Sequence, residues 1–298
     1  MKCHSRTNVS TPLLETLKAV NASGFYTTVV RNRSDFVMPV EGDKIEAITV
    51  RPLQAFFWMS HSELCHPEVG FYAALLQALM TGSGIASRRF AAASFLLRYG
   101  WSSGAMIAPL LMDRPIPWYT AEEAALCFAD NTLFQAICLG SDHFIIDQKH
   151  AYSAHPHCAL VYSDKDVAIR WIADQLLCQA QPIVEALHRW SGFSHKALWA
   201  MVSSSWIGQL LNVSKTLQRP AERLRRYLTV FYEHWQPLTD ALPRCYFIRE
   251  QDKTHFFHVR ASCCLYFKGK ERHFCASCPV LPEDERIKRN RQWIEKYG

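Results

Sequence analysis

The chain has 298 residues, enough for one large domain or two small ones. With 49% hydrophobic and 20% charged residues, and only 12 Gly and 14 Pro, it is neither disordered, fibrous nor low in complexity. The net charge of +6 lies mostly at the end, where twelve Lys and Arg face seven Asp and Glu from Arg244 onward.

In chain order, residues 1–11 are polar and a short helix fits Thr11 to Val20. Two β-rich stretches follow, Phe25–Arg31 and Lys44–Val50, the second after a Gly42-Asp43 turn signal. From Pro67 the pattern turns helical, with Phe71, Leu75, Leu76, Leu79 and Met80 at helical spacing. Phe90–Leu97 reads as another helix and Asp113–Pro117 as a loop. Thr120-Ala-Glu-Glu123 matches a capping box, predicting a helix to about Cys138. His143–Asp147 and Cys158–Tyr162 read as strands. Ser163-Asp-Lys-Asp166 opens a long amphipathic stretch towards Trp190, which Pro182 is expected to kink or split. Further helices are expected from Ser194 to Leu211 and from Pro220 to Trp235. A hairpin pairs Cys245–Glu250 with His255–Arg260, and a charged helix runs from Arg286 to Tyr297. The expected fold class is α+β: a helix-dominated body with small sheets, without the βαβ alternation of a doubly wound fold.

No apolar run, Ala105–Met112 included, approaches the ~18–20 residues that span a membrane. The first residues lack the apolar core of a signal peptide, so a cytoplasmic protein is expected. Its eleven cysteines are therefore not read as a disulfide framework. Four of them cluster: Cys263 and Cys264, then Cys275 and Cys278, a C-C-x10-C-x2-C pattern within sixteen residues. The C-x2-C half lets two sulfurs reach one metal, and Gly269 is expected to let the connecting loop turn back. Zinc ribbons usually pair two C-x2–4-C knuckles, whereas a [2Fe–2S] cluster also takes four thiolates and tolerates more varied spacing. The chemistry of the residues leaves both open.

The run Arg260-Ala-Ser-Cys263-Cys264-Leu-Tyr-Phe, ending in Cys275-Ala-Ser-Cys278-Pro279, resembles the C-terminal signature of the FhuF family of ferric siderophore reductases. The likeness covers residues 260–279, with a looser one in Arg98-Tyr99-Gly100 and Ala108-Pro109-Leu110-Leu111. It implies a [2Fe–2S] cluster on Cys263, Cys264, Cys275 and Cys278, and one-electron reduction of Fe(III)-siderophores to release Fe(II). Fe(II) binds hard oxygen donors far more weakly than Fe(III), so one electron is enough for release.

Around the cysteines, Arg260, Lys268, Lys270 and Arg272 raise a cluster's potential or attract an anionic complex. Arg260, Lys268 and Arg272 are the candidate docking residues for substrate or donor. Tyr266, Phe267 and Phe274 are expected to shield the centre from water. Gly82-Ser-Gly84-Ile-Ala-Ser87 follows a helical pattern and is a poor dinucleotide loop, so the electron must come from an external ferredoxin, flavodoxin or flavin reductase. Residues 1–243 are expected to form the helical, siderophore-binding body and residues 244–298 the cluster segment. The final helix leaves peripheral contact with the inner face of a membrane open.

Other signals read as structural. His155-Pro-His157-Cys158 is expected to be an ordinary loop. Cys127, Cys138 and Cys178 are expected in helix cores, and Ser203–Ser205 in close helix packing. Two further functional classes use the same cysteines: a non-catalytic zinc-binding module for nucleic acid or protein, and an iron–sulfur redox or iron sensor. Nucleic acid ranks low, because the basic residues lack the arrangement of a known nucleic-acid module.

Overall fold

The computed structural model describes residues 11–23, 27–36, 56–129, 134–250, 253–269 and 274–297. The expected strand at Lys44–Val50 lies outside them. The elements run α1 (Pro12–Asn21), β1 (Thr28–Val30), β2 (Phe56–Ser60), α2 (Gly70–Ser83), α3 (Arg88–Ser103), α4 (Ala108–Leu111) and β3 (Ile116–Pro117). Then come β4 (Ala125–Ala129), β5 (Phe134–Cys138), β6 (Phe144–Asp147), β7 (Cys158–Tyr162), α5 (Lys165–Ser191), α6 (His195–Thr216) and α7 (Ala221–His234). The hairpin β8 (Arg244–Glu250) and β9 (Lys253–Val259) and the helix α8 (Glu283–Tyr297) complete the chain. The fold is α+β with a helical body and small sheets.

Side-chain caps start the helices where the sequence offers them. Thr11 accepts from the Leu14 amide, Ser87 from Phe90 and Ser194 from Ala197. For α5 the cap is Asp164, which accepts from the Asp166 amide, rather than Ser163. This helix runs through Pro182 without a break, so it is not split there. Pro182 leaves the Cys178 carbonyl without its helical donor, and both residues are exposed, so water can take the bond. Cys178 is thus a surface residue, not a core one.

The helix expected from Thr120 to Cys138 is instead an antiparallel pair of strands, β4 and β5. The Thr120–Glu123 signal closes a single turn, with the Ala124 amide donating to the Thr120 carbonyl, and the chain then extends. The next five residues are all buried, because the sheet, ordered β1-β5-β4-β2, is covered on both faces. On one side Phe128 and Phe134 meet Phe95 of α3. On the other, Cys127 and Cys138 pack with Val30, Phe36, Ala125 and Ala136. Both cysteines are core residues as expected, but on strands.

The centre of the body is the crossing of α3 and α6. A Cβ at Gly100 would lie 2.7 Å from the Ser205 Cβ and 2.8 Å from the Val202 carbonyl oxygen. Only glycine permits that approach. The serines of α6 serve it as expected: Ser205 donates to the Leu97 carbonyl at 2.8 Å, and Ser203 to that of Ala241 at 2.8 Å. Trp206, fully buried, donates to Ser103 at 2.9 Å.

Candidate metal centre

The hairpin β8–β9 carries the chain from α7 back across α6. At Gly208 of α6 a Cβ would lie 3.3 Å from His258 Cε1, so the strand sits close against the helix. The strand ends at Val259 and Arg260, both buried. The Arg260 amide then donates to the Ser277 carbonyl at 3.0 Å. This bond ties the end of the hairpin to the turn bearing the second cysteine pair. That turn is closed by the Cys278 amide donating to the Cys275 carbonyl at 3.0 Å.

Between the pairs Leu265 takes a left-handed φ of 67°, and its amide donates to Cys263 Sγ at 3.3 Å. The loop expected to turn back at Gly269 continues into residues 270–273, outside the described ones. That glycine has an ordinary φ, and its role is contact: a Cβ there would sit 3.0 Å from the Ser83 carbonyl oxygen at the end of α2. Lys268 is exposed, while Lys270 and Arg272 lie outside the described residues.

All four cysteines line one cleft of about 240 Å³. Cys264 and Cys278 are buried, Cys263 is half-buried and Cys275 is exposed. Phe90, Tyr266, Phe267 and Phe274 add aromatic wall, with the last two rings stacked at 5.0 Å. Tyr266 is exposed at the rim, while Phe267 and Phe274 are half-buried beside the cysteines. The wall opposite the cysteines comes from α3, through Phe90, Ser94, Leu97 and Arg98. The cleft is therefore a seam between the helical body and the C-terminal segment.

Arg260 is the electrostatic centre of the seam. Its Nη2 donates to Cys275 Sγ, the guanidinium also bonds Cys264, and it faces Cys278. Its buried Nε has no partner. Placed so, Arg260 addresses the sulfurs rather than the solvent. Desolvation pushes the Cys263 thiol up to about 11, and neighbouring Cys278 and Cys264 add to that, against the Leu265 N–H. Desolvation also raises Cys275, against the opposing pull of Arg260 and the Ser277 hydroxyl. Crowded thiols resist ionising one by one, so thiolates form here when a cation takes the place of their protons.

Among the described residues, no three His, Cys, Asp or Glu side chains form a group ready to hold a metal ion. The donor set can still be matched to the implied centre by charge. A tetrathiolate centre is net negative and needs positive charge and N–H donors around its sulfurs. The cleft supplies two guanidinium groups, an unpartnered Nε and a backbone N–H on sulfur, so the residues fit.

Arg98 is the residue that motif reading of the cysteine segment misses. It projects from α3, held by its Nη1 on the Ser94 carbonyl at 3.1 Å and on the Ser94 hydroxyl. Burial lowers its pKa, offset by Tyr266 and Cys264. Among the described residues no carboxylate pairs with it. Burying a cation unpaired is costly, which in hindsight makes an interior arginine on an apolar helix the signal to look for.

The final helix also belongs to the site. Arg289 of α8 donates to the Phe274 carbonyl at 2.8 Å and pairs with Glu285, while Arg291 pairs with Glu250. These basic residues are engaged in holding the cysteine segment to the hairpin. Elsewhere, Gly84 is the left-handed residue that ends α2, with no strand before it. His155 Nδ1 accepts from the His157 amide within their turn, and the His157 carbonyl accepts from the Phe144 amide of β6. Among the described residues, no helix is long and apolar enough to cross a membrane. No protein-family model, curated protein or solved structure matches the chain.

Proposed function

We propose that the chain is an iron–sulfur oxidoreductase that reduces Fe(III)-siderophore complexes and releases Fe(II). The observation that carries this reading is the seam itself. Four cysteines share one cleft with two arginines, Arg260 buried and Arg98 half-buried, and one of those cysteines, Cys275, reaches the surface. A [2Fe–2S] cluster on Cys263, Cys264, Cys275 and Cys278 would supply one electron at a time. The protein's own share is electrostatic and steric. Arg260 and Arg98 favour the more negative, reduced state and so raise the potential. Phe267 and Phe274 keep water from the sulfurs. Exposed Cys275 marks the side on which an electron leaves by the shortest route.

A ferric siderophore is too bulky for a cleft of about 240 Å³ and would dock at its mouth. Lys268, exposed beside it, attracts an anionic complex at long range. The electron source is an external ferredoxin, flavodoxin or flavin reductase in this reading, which is cytoplasmic. The test starts from anaerobically purified protein. It should be brown, with about two irons and two inorganic sulfides per chain. Once reduced, it should release Fe(II) to a chelator when a ferric siderophore is added. A colourless protein with stoichiometric zinc would remove the cluster and favour an interaction module. A brown protein that reduces no siderophore would favour a sensor.

A further inference from the structure

From the geometry of the seam we infer that Arg98 is a positioning residue, the body's counter-charge to the anionic thiolate centre, and that binding metal thereby clamps the C-terminal segment onto α3. The inference rests on a tetrathiolate centre in this cleft, but not on whether the metal is iron or zinc.

Three observations carry it. Arg98 lines the same cleft as the four cysteines, yet comes from a helix more than 150 residues earlier in the chain. It is anchored within its own helix by Ser94, so its guanidinium is held in place before any ligand arrives. It also lacks a carboxylate among the described residues, unlike the cations gathered around Asp113. That carboxylate serves Lys165, Arg219 and Arg223 together. Without a bound anion the seam brings two guanidinium groups together with no carboxylate among the described residues to pair them, and like charge there opposes closure. An anionic tetrathiolate centre between them reverses the sign of that balance. Arg260 travels with the cysteines on one segment, so it cannot link segment to body by itself. Arg98 can, because its backbone belongs to α3, which is locked to α6.

The experiment uses the full chain stripped of metal and held reduced, then titrated with Zn(II) alone against a chromophoric chelator. The variants are Arg98→Gln and Arg98→Lys. The expected result is about 10–100-fold weaker Zn(II) binding in Arg98→Gln, the range for losing a group beside the ligands, and a much smaller loss in Arg98→Lys. The stripped Arg98→Gln protein should melt no lower than the stripped parent, and gain less on loading. In protein loaded with an iron–sulfur cluster, Arg98→Gln should also lower the midpoint potential. Equal Zn(II) affinity in parent and Arg98→Gln would overturn the inference. So would equal losses in Gln and Lys variants, since shape rather than charge would then be at stake. Should Arg98→Gln not fold, the same comparison is read from Arg98→Lys and Ser94→Ala, and unchanged affinity in both overturns it. Zinc binding of the expected pattern in a protein that never takes up iron would leave the inference standing and remove the reductase reading.

Discussion

The helix α3 has two working sides that obey opposite rules. Its side towards α6 is closed and carries no charge: Gly100 meets Val202 and Ser205 at backbone range, and Ser205 and Trp206 place their donors on partners in α3, with the Gln209 Oε1 left over beside them. Its side towards the cysteines is open and electrically unfinished. Arg98 shares its cleft with four cysteines and, among the described residues, no carboxylate, and Arg260 keeps an N–H without an acceptor. A protein selected for stability alone gains nothing from the second arrangement. The contrast separates a region that holds the body together from one prepared for an anion.

Breaking either side should therefore give opposite signatures, and these are the largest effects expected. Cys278→Ser removes a buried sulfur and should abolish or strongly perturb the absorption of the loaded centre, while the stripped protein keeps its helical circular dichroism. Gly100→Ala should do the reverse. Alanine gains about 1 kcal/mol over glycine inside a helix. The new methyl, however, would lie 2.8 Å from a backbone oxygen that cannot rotate away. Overpacking costs typically ~1–3 kcal/mol, and with so rigid a neighbour it should win. Urea denaturation of the stripped protein should show a lower midpoint, with the metal affinity of the folded fraction unchanged. Equal loss of stability in both variants would erase the distinction between the two sides.

How far the sequence discloses this differs between the two sides for a physical reason. The cysteine pattern is local, so Cys263, Cys264, Cys275 and Cys278 are readable as one set before any fold is known. The serines and caps of α6 are likewise local signals. Arg98 is not, because what singles it out is the absence of a partner in space, and absence has no sequence spacing. The β4–β5 pair misleads for a related reason: Thr120–Glu123 satisfies a local helix-start rule, but burial on both faces favours extended strands after one turn. Gly269 shows the same limit. Its composition suggests a turn, while its neighbour, Ser83, lies far away in the chain.

A smaller effect probes where the two sides meet. His258 lies against Gly208, with Trp101 alongside, and the charged group it faces is Arg260. Burial, then Arg260, pushes its pKa down to about 4 from the ordinary 6.5. The fold thus requires a neutral imidazole. As pH falls below 6.5 the unfolded chain binds the proton first, so stability drops until about pH 4 and then levels off. The contribution is on the order of 2 kcal/mol once partial exposure is allowed for. In the stripped protein, His258→Gln should flatten the melting temperature across that interval. An unchanged pH profile would mean that the fold does not hold His258 neutral.

The smallest effects come from two serines on the two sides, and they sharpen the comparison most. Ser205 donates to the Leu97 carbonyl across the α3–α6 crossing. Ser205→Ala should cost about 1 kcal/mol of stability, the usual net worth of such a bond, without altering metal affinity. Ser94 instead steadies Arg98, which keeps the Ser94 carbonyl as a second acceptor when the hydroxyl is lost. Ser94→Ala should therefore leave the unfolding midpoint of the stripped protein almost where it was. Its cost should appear on loading, as a guanidinium less fixed over the sulfurs binds the anionic centre less tightly. A few-fold weaker Zn(II) affinity, with stripped stability intact, is the expected reading. If Ser94→Ala lowered stability as Ser205→Ala does and left affinity alone, Ser94 would belong to the packing of α3, and the guanidinium would be held by other means.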